Sequence, residues 1–296
     1  MHKNNKHSKD YNFKALIKDS PELAEFVFES KYGKDTIDFA NPKAVKSLNS
    51  ALLKTHYGID YWNFPDANLC PPIPGRVEYI HVLNDLLQAS KLQKDVTVLD
   101  VGTGASCIYP LLGYSEYKWN FIASEVDPLA FENAKDIVDK NNLNNHIDLR
   151  FQNDSQFILK GILQPSENIT ATLCNPPFYK NEAEANENAL RKLKGLGNGT
   201  NDLKRNFSGK ANELWYPGGE KAFLHNYLYQ SSLYKTNCFW YTSLVSKKEL
   251  VKSMQSSLKK LGATEVKTLQ MALGNKISRV VAWTFLTEEE QKNWKA

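Results

Sequence analysis

From about residue 95 the chain alternates short apolar, β-branched runs with amphipathic helical segments, and that alternation leaves few folds open. VTVLDVG (96–102), WNFIASEVD (119–127), IDLRFQ (147–152), ITATLCNPPF (169–178) and NCFWYTSLV (237–245) read as strands. Between them, CIYPLLGYS (107–115), PLAFENAKDIVDKNNL (128–143) and KKELVKSMQSSLKKLG (247–262) have helical period. EVKTLQMAL (265–273) and SRVVAWTFL (278–286) read as two strands around a Gly-Asn turn. The pattern predicts an α/β fold: a mostly parallel, doubly wound sheet closed by an antiparallel C-terminal hairpin.

The first ninety residues have another character. PELAEFVFES (21–30) and PKAVKSLNSALLKTHYG (42–58) carry apolar residues at helical spacing with a proline near the start of each. NFPDANLCPPIPGR (63–76) reads as an ordered proline-rich loop, and VEYIHVLNDLLQAS (77–90) returns to helical period. The region is therefore predicted to be an N-terminal helical extension.

Composition excludes several classes. No apolar run reaches the roughly 18 residues of a membrane helix, and MHKNNKHSKDYNFK lacks the apolar region of a secretory signal. Cys70, Cys107, Cys174 and Cys238 show no CxxC spacing, so neither a zinc site nor a disulfide framework is expected. The simplest reading is a reduced, cytoplasmic protein. The 37 Lys and Arg against 33 Asp and Glu give only +4. Placement says more: Lys3, Lys6, Lys9, Lys14 and Lys18 with His2 and His7 face only Asp10. Arg191, Lys192, Lys194, Lys204, Arg205 and Lys210 form a second basic group in the long polar insertion at 179–220. Each group is either a solvated, mobile segment or a surface for backbone phosphates.

Three motifs carry chemistry. DVGTGAS (100–106) follows the first strand directly, and Gly102 and Gly104 permit a sharp turn with close backbone approach to a ligand. It has neither the GK[ST] of a P-loop nor a full GxGxxG. About 20 residues on, the second strand ends in Glu125, where a carboxylate can accept from both hydroxyls of a ribose. Asp127 competes for that role, but just before Pro128 it better suits a helix N-cap. NPPF (Asn175, Pro176, Pro177, Phe178) ends the fourth strand. The prolines stiffen the exit, the Asn175 carboxamide and the Pro176 carbonyl can accept from one exocyclic amine, and Phe178 offers a face for a flat base.

Together these motifs resemble a class I S-adenosylmethionine-dependent methyltransferase of the amino-group type. The longer match, PGRVEYIH, DVGTGASCIYPLLG, ASEVDP, CNPPF and GGE, is similar to the bacterial 23S ribosomal RNA adenine-N6 methyltransferase family (the RlmF type) and its eukaryotic small nuclear RNA relative. The resemblance spans roughly residues 8–286. It implies a Rossmann-like sheet of seven strands. It also implies S-adenosyl-L-methionine as donor, no metal, and 23S ribosomal RNA or a large-subunit assembly intermediate as partner. Residues 1–90 would be an RNA-contacting extension, and 91–296 the methyltransferase domain with a mobile loop at 179–220. Arg76 would reach the donor carboxylate, Asp100, Gly102, Gly104 and Ser106 would surround its methionine part, Glu125 its ribose, and Gln156, within the stretch Asp154–Gln156, its adenine. Asn175, Pro176, Pro177 and Phe178 would form the catalytic tetrapeptide. Gly218, Gly219 and Glu220 match a further motif that equally suits the first turn of a helix. The same NPP turn serves protein glutamine methyltransferases, and a non-catalytic RNA-binding protein of this fold is a third reading.

Overall fold

The computed structural model describes residues 1–66, 68–184, 187, 214–273 and 276–295. The basic cluster Arg191–Lys210, most of the expected loop 179–220 and the Gly-Asn turn lie outside the described residues.

The N-terminal region starts with α1 (Phe13–Asp19), a 3₁₀ turn (Pro21–Phe26) and a small antiparallel hairpin of β1 (Val27–Glu29) and β2 (Asp35–Ile37). The stretch 21–30 was expected to be helical, and this is corrected. Val27 and Phe28 are β-branched and aromatic, and Gly33 at φ +71° lets the chain turn back between the two strands. Next come α2 (Pro42–Tyr57), capped by the Asn41 side chain and closed by Gly58, and α3 (Ile73–Ala89). Helix α3 starts inside the proline-rich stretch that read as loop. Pro74 lies in its first turn, where a missing N–H costs nothing.

The chain's first residues are not a tail. Asn5 and His7 are buried. The His2 backbone N–H and the Asn5 carboxamide each donate to Glu78 of α3 at 2.7 Å, and His7 bonds the Tyr57 hydroxyl at 2.8 Å. Lys6 pairs with Glu116 at 2.6 Å and lies over the Tyr57 ring. Burial, reinforced by His56, Lys6 and His81, lowers the His7 pKa to about 4.

The remaining strands are β3 (Thr97–Val101), β4 (Asn120–Glu125), β5 (Ile147–Phe151), β6 (Ile169–Cys174), β7 (Cys238–Val245), β8 (Glu265–Leu273) and β9 (Lys276–Thr284). They form one seven-stranded sheet in the order β5-β4-β3-β6-β7-β9-β8. Pairings from β5 to β7 are parallel and those of β9 are antiparallel, as the pattern predicted. One face is covered by α3, α4 (Ile108–Tyr117) and α5 (Pro128–Lys140), the other by α6 (Gly219–Ser231) and α7 (Lys248–Leu261). A short α8 (Glu288–Lys292) closes the described chain with a Thr287–Glu290 capping box. Helix α3 belongs to the core of this sheet, while α1 and the first half of α2 pack around a smaller core of their own.

Deleting residues 1–7 removes several buried hydrogen bonds of about 1 kcal/mol each, which lowers Tm at neutral pH by roughly 5 °C. It also flattens the pH dependence. Folded His7 resists protonation, so its contribution is full above the unfolded pKa of 6.5 and fades as pH falls toward about 4. Thermal melts of both proteins across that range check this, and identical curves would mean a tail.

Candidate active site

Register assembles the site. Val101 of β3 pairs with Ser124 of β4 on one side and with Cys174 of β6 on the other. The next residue in each strand is Gly102, Glu125 and Asn175, so these three share one rim at the carboxyl ends of the strands. Here β3 leads to β4 on one side and has β6 on the other, and the chain's reversal of direction opens a crevice.

Each wall of the crevice is braced. Gly102 and Gly104 take φ of +72° and +66°, the left-handed region that other residues enter at a cost. Beyond them, the Trp62 indole N–H donates to the Ser106 carbonyl and the Asn133 carboxamide to the Ala105 carbonyl, both at 2.8 Å. Buried Glu125 accepts from the Gly104 N–H through one oxygen and from Val126 and Asp127 N–H through the other, at 2.8–2.9 Å. Asp127 caps α5 by accepting from Leu129 and Ala130 N–H. The two acids that spacing left side by side thus have different jobs in the fold.

Arg76 stands in the first turns of α3, not in a loop, and donates to the Tyr109 hydroxyl at 3.2 Å. Burial pushes the Asp100 carboxyl up to about 7; Glu125 pushes the same way, while Thr103 and Arg76 oppose. The backbone of Gln156 is fixed by Asn226 and Gln230 of α6, which both donate to its carbonyl at 3.0 Å. Beneath NPPF, four buried hydroxyls brace β6. Tyr227 donates to Thr172, Thr242 donates to the Thr172 carbonyl, and the Tyr79 hydroxyl bonds Thr242 and accepts from the Cys174 N–H. Glu220, in the first turn of α6 behind the N-capping Gly218, accepts from the Ser246 N–H and hydroxyl and so ties that helix to the end of β7.

Arg76, Gly102, Gly104, Ser106, Glu125, Gln156, Asn175, Pro176, Pro177 and Phe178 line a single cavity of about 680 Å³. Asp100 is not among its lining residues; it lies buried two residues before that rim, near the end of β3. The sequence reading missed Tyr109, Gln152, Phe157, Trp215 and Phe223, which also line the cavity. Gln152 was recoverable, since Glu125 pairs with Phe151 and the next residue reaches the same rim. Trp215 carried no signal in the sequence.

The cavity matches a donor with a carboxylate, a cationic centre, a ribose and a flat base. It offers a guanidinium, the Glu125 carboxylate, turned backbone at the glycines and the apolar faces of Phe157 and Ile158. The buried Asn175 Oδ1 has no hydrogen-bond partner, which an amine-bearing ligand would supply. Among the described residues no cluster of His, Cys, Asp or Glu is placed to hold a metal ion.

Comparison with known proteins agrees with this geometry. A family model described as RNA methyltransferase matches residues 1–287. Ribosomal RNA large subunit methyltransferase F of Colwellia psychrerythraea (strain 34H) is 47% identical over 96% of this chain and 99% of its own. The protein of the same name from Pseudomonas fluorescens (strain SBW25) is 45% identical over 100% of this chain and 89% of its own. Among solved structures, the hMettl16 catalytic domain in complex with MAT2A 3′UTR hairpin 1 superimposes with a TM-score of 0.82 at 30% identity, covering 97% of this chain and 96% of that one. The N-terminal domain of human METTL16 in complex with SAH gives 0.77 at 26% identity, covering 97% and 99%.

The two acids separate in a binding experiment. Asp127→Ala removes an N-cap, costing about 1 kcal/mol of stability with little change in S-adenosylhomocysteine affinity. Glu125→Ala weakens that affinity by at least tenfold, because a charged partner is lost and the glycine loop with it. Calorimetry on both variants checks this, and a larger affinity loss in the Asp127 variant would reverse the assignment.

Proposed function

The chain belongs to the RNA methyltransferase family, and from that premise we propose how its site acts on its substrate. It transfers the methyl group of S-adenosylmethionine to the N6 amine of an adenine in 23S ribosomal RNA. The donor supplies a methyl already activated on a sulfonium, so the chain's own residues mainly position and polarise. Arg76 pairs its guanidinium fork with the donor carboxylate. Glu125 accepts from a ribose hydroxyl through the oxygen that already takes the Gly104 N–H, since a carboxylate oxygen takes two hydrogen bonds. Gly102, Gly104 and Ser106 shape the backbone around the methionine part, and Gln156 flanks the donor adenine.

Asn175 and the Pro176 carbonyl hold the target amine. Each accepts from one N–H, which turns the nitrogen lone pair out of conjugation with the ring and toward the methyl group. Phe178, 37% exposed at the cavity mouth, stacks on the base. The base must leave its own stack to reach this depth, so an accessible adenine is favoured. The observation that carries the reading is the buried, unpartnered Asn175 oxygen on the same rim as Glu125 and Gly102.

Residues 1–90 serve as the RNA-contacting extension and residues 91–296 as the methyl-transfer domain, except that α3, packed in the sheet core and carrying Arg76, works with the latter. Lys3, Lys9 and Lys14 are exposed on an arm anchored to α3, so they present charge to phosphates from a fixed scaffold. The sequence of 179–220, which follows NPPF in the chain, adds seven more basic residues. No helix among the described residues is long and apolar enough to cross a membrane. A cytoplasmic enzyme acting on rRNA or on a large-subunit assembly intermediate fits these features.

Incubation of the protein with labelled donor tests the substrate. Label should enter 23S rRNA, free or in assembling particles, and not a peptide release factor, the substrate type of glutamine methyltransferases sharing the NPP turn. Asn175→Ala should lower kcat by at least 100-fold while S-adenosylhomocysteine affinity stays within a few-fold of wild type, because the carboxamide acts on the reacting amine. A large loss of donor-product affinity with normal turnover at saturation would overturn the role of Asn175.

A further inference from the structure

Leu214–Tyr216 enters the cavity from the far side of the 179–220 insertion and is stitched to the residues just past the two prolines. The Leu214 carbonyl accepts from both Phe178 and Tyr179 N–H at 3.0 Å, and the Tyr216 N–H donates to the Tyr179 carbonyl at 3.0 Å. Tyr179 and Trp215 pair as an isolated parallel bridge. The Trp215 backbone is thereby tied to the chain just past NPPF.

Trp215 lines the cavity, yet its Nε1 is buried with no acceptor. A buried indole N–H normally finds a partner, because leaving it unmade costs about 1–3 kcal/mol. Among the described residues, the cavity-lining side chains with such a buried, unpartnered polar atom are Thr103, Asn175 and Trp215. Thr103 belongs to the glycine loop. The other two are of opposite polarity, an acceptor on Asn175 and a donor on Trp215.

An unpartnered acceptor and an unpartnered donor lining one cavity match a ligand edge that offers a donor beside an acceptor. Adenine has that edge: its N6 amine is flanked by the lone pairs of ring nitrogens N1 and N7. Guanine and hypoxanthine carry a 6-oxo group there, which would face the Asn175 oxygen with another acceptor. We propose that the Trp215 indole N–H donates to a ring nitrogen flanking the target amine, so that Trp215 is a specificity-determining residue for adenine. The inference rests on the adenine-N6 reading of the site. It adds a residue that touches the base but neither the donor nor the transferred methyl group. A site that hydrogen-bonds one base discriminates strongly against an analogue lacking the matching group, since its own buried donor is then left unpaired.

The test uses the full chain and a synthetic fragment of 23S rRNA around the target adenine, located first by labelling the whole rRNA. The target position carries adenosine, 1-deazaadenosine or 7-deazaadenosine; each keeps the exocyclic amine, and each analogue lacks one ring nitrogen. Wild-type kcat/KM should fall roughly tenfold to hundredfold on one of the two analogues. Trp215→Phe keeps an aromatic wall and removes the N–H. On adenosine it should lose a similar factor, and it should no longer distinguish that analogue from adenosine. Its S-adenosylhomocysteine affinity and Tm should match wild type or Tm should rise, because the N–H has no partner in the free protein; a structural role would lower Tm instead. Two results overturn the inference: wild type indifferent to both analogues, or Trp215→Phe with full kcat/KM on adenosine. If wild type fails to methylate the adenosine fragment at all, the adenine-N6 reading falls as well, and the two failures are told apart by that control. Should Trp215→Phe fold poorly, the wild-type series on the two analogues still decides.

Discussion

A single buried carboxylate holds the working end of the sheet together. Glu125 accepts backbone hydrogen bonds from Gly104, Val126 and Asp127, and so locks the turn after β3 to the exit of β4. Bonds to an ionised acceptor are the stronger kind, and burial excludes the water that would compete for them. The glycines let the loop take its left-handed turns, but glycine alone would leave it loose. The carboxylate, the Trp62 indole and the Asn133 carboxamide convert a permissive loop into a set one. Because β3, β4 and β6 run parallel in matched register, fixing that loop also fixes its distance to Asn175 across one strand.

The opposite rim depends on a less expected device. Central strands of a parallel sheet are usually apolar on both faces, yet β6 and β7 place buried threonines at the sheet centre. Thr172 and Thr242 bond each other's strands, and tyrosines from α3 and α6 close the chain from the two faces. Every hydroxyl in this group has at least one hydrogen-bond partner, so the group rigidifies rather than strains. Its position directly under the NPPF exit gives Asn175 a stiff base. Beyond Asn175, the two prolines and two backbone bonds to Leu214 stiffen the chain as far as Tyr179. Chemistry that works by orientation needs this, since small misplacements of a positioning group are expensive in rate.

Much of this was legible in the sequence. The period-2 and period-3.6 runs from residue 96 onward mark each core strand and the core helices α4, α5 and α7, because burial on both faces of a parallel sheet leaves little freedom of composition; α6 was marked only by the glycines at its start. Glycine, Glu125 and NPPF mark the rim, because each marks the end of a strand. What stayed hidden depends on contacts between distant segments. The 27–37 hairpin was obscured by apolar residues whose helical spacing outweighed a few β-branched ones. The arm was read from its lysines, while its anchor is the neutral Asn5 and His7 against Glu78 and Tyr57. Asp100 sits in the glycine motif yet lies beneath the lining, a matter of one residue of strand alternation. Trp215 comes after a long insertion without periodicity, so only the pairing with Tyr179 reveals where it points.

The proposed function turns on the rim holding an exocyclic amine in front of an activated methyl group. Nucleoside mass spectrometry of 23S rRNA, after incubation with the enzyme and isotope-labelled donor, reads the outcome at the reacting atom itself. The label is expected as N6-methyladenosine. A methyl group on a ring nitrogen or ring carbon would contradict this geometry, because neither the Asn175 oxygen nor the Pro176 carbonyl could have positioned that atom, and one on the exocyclic amine of another base would contradict the choice of adenine.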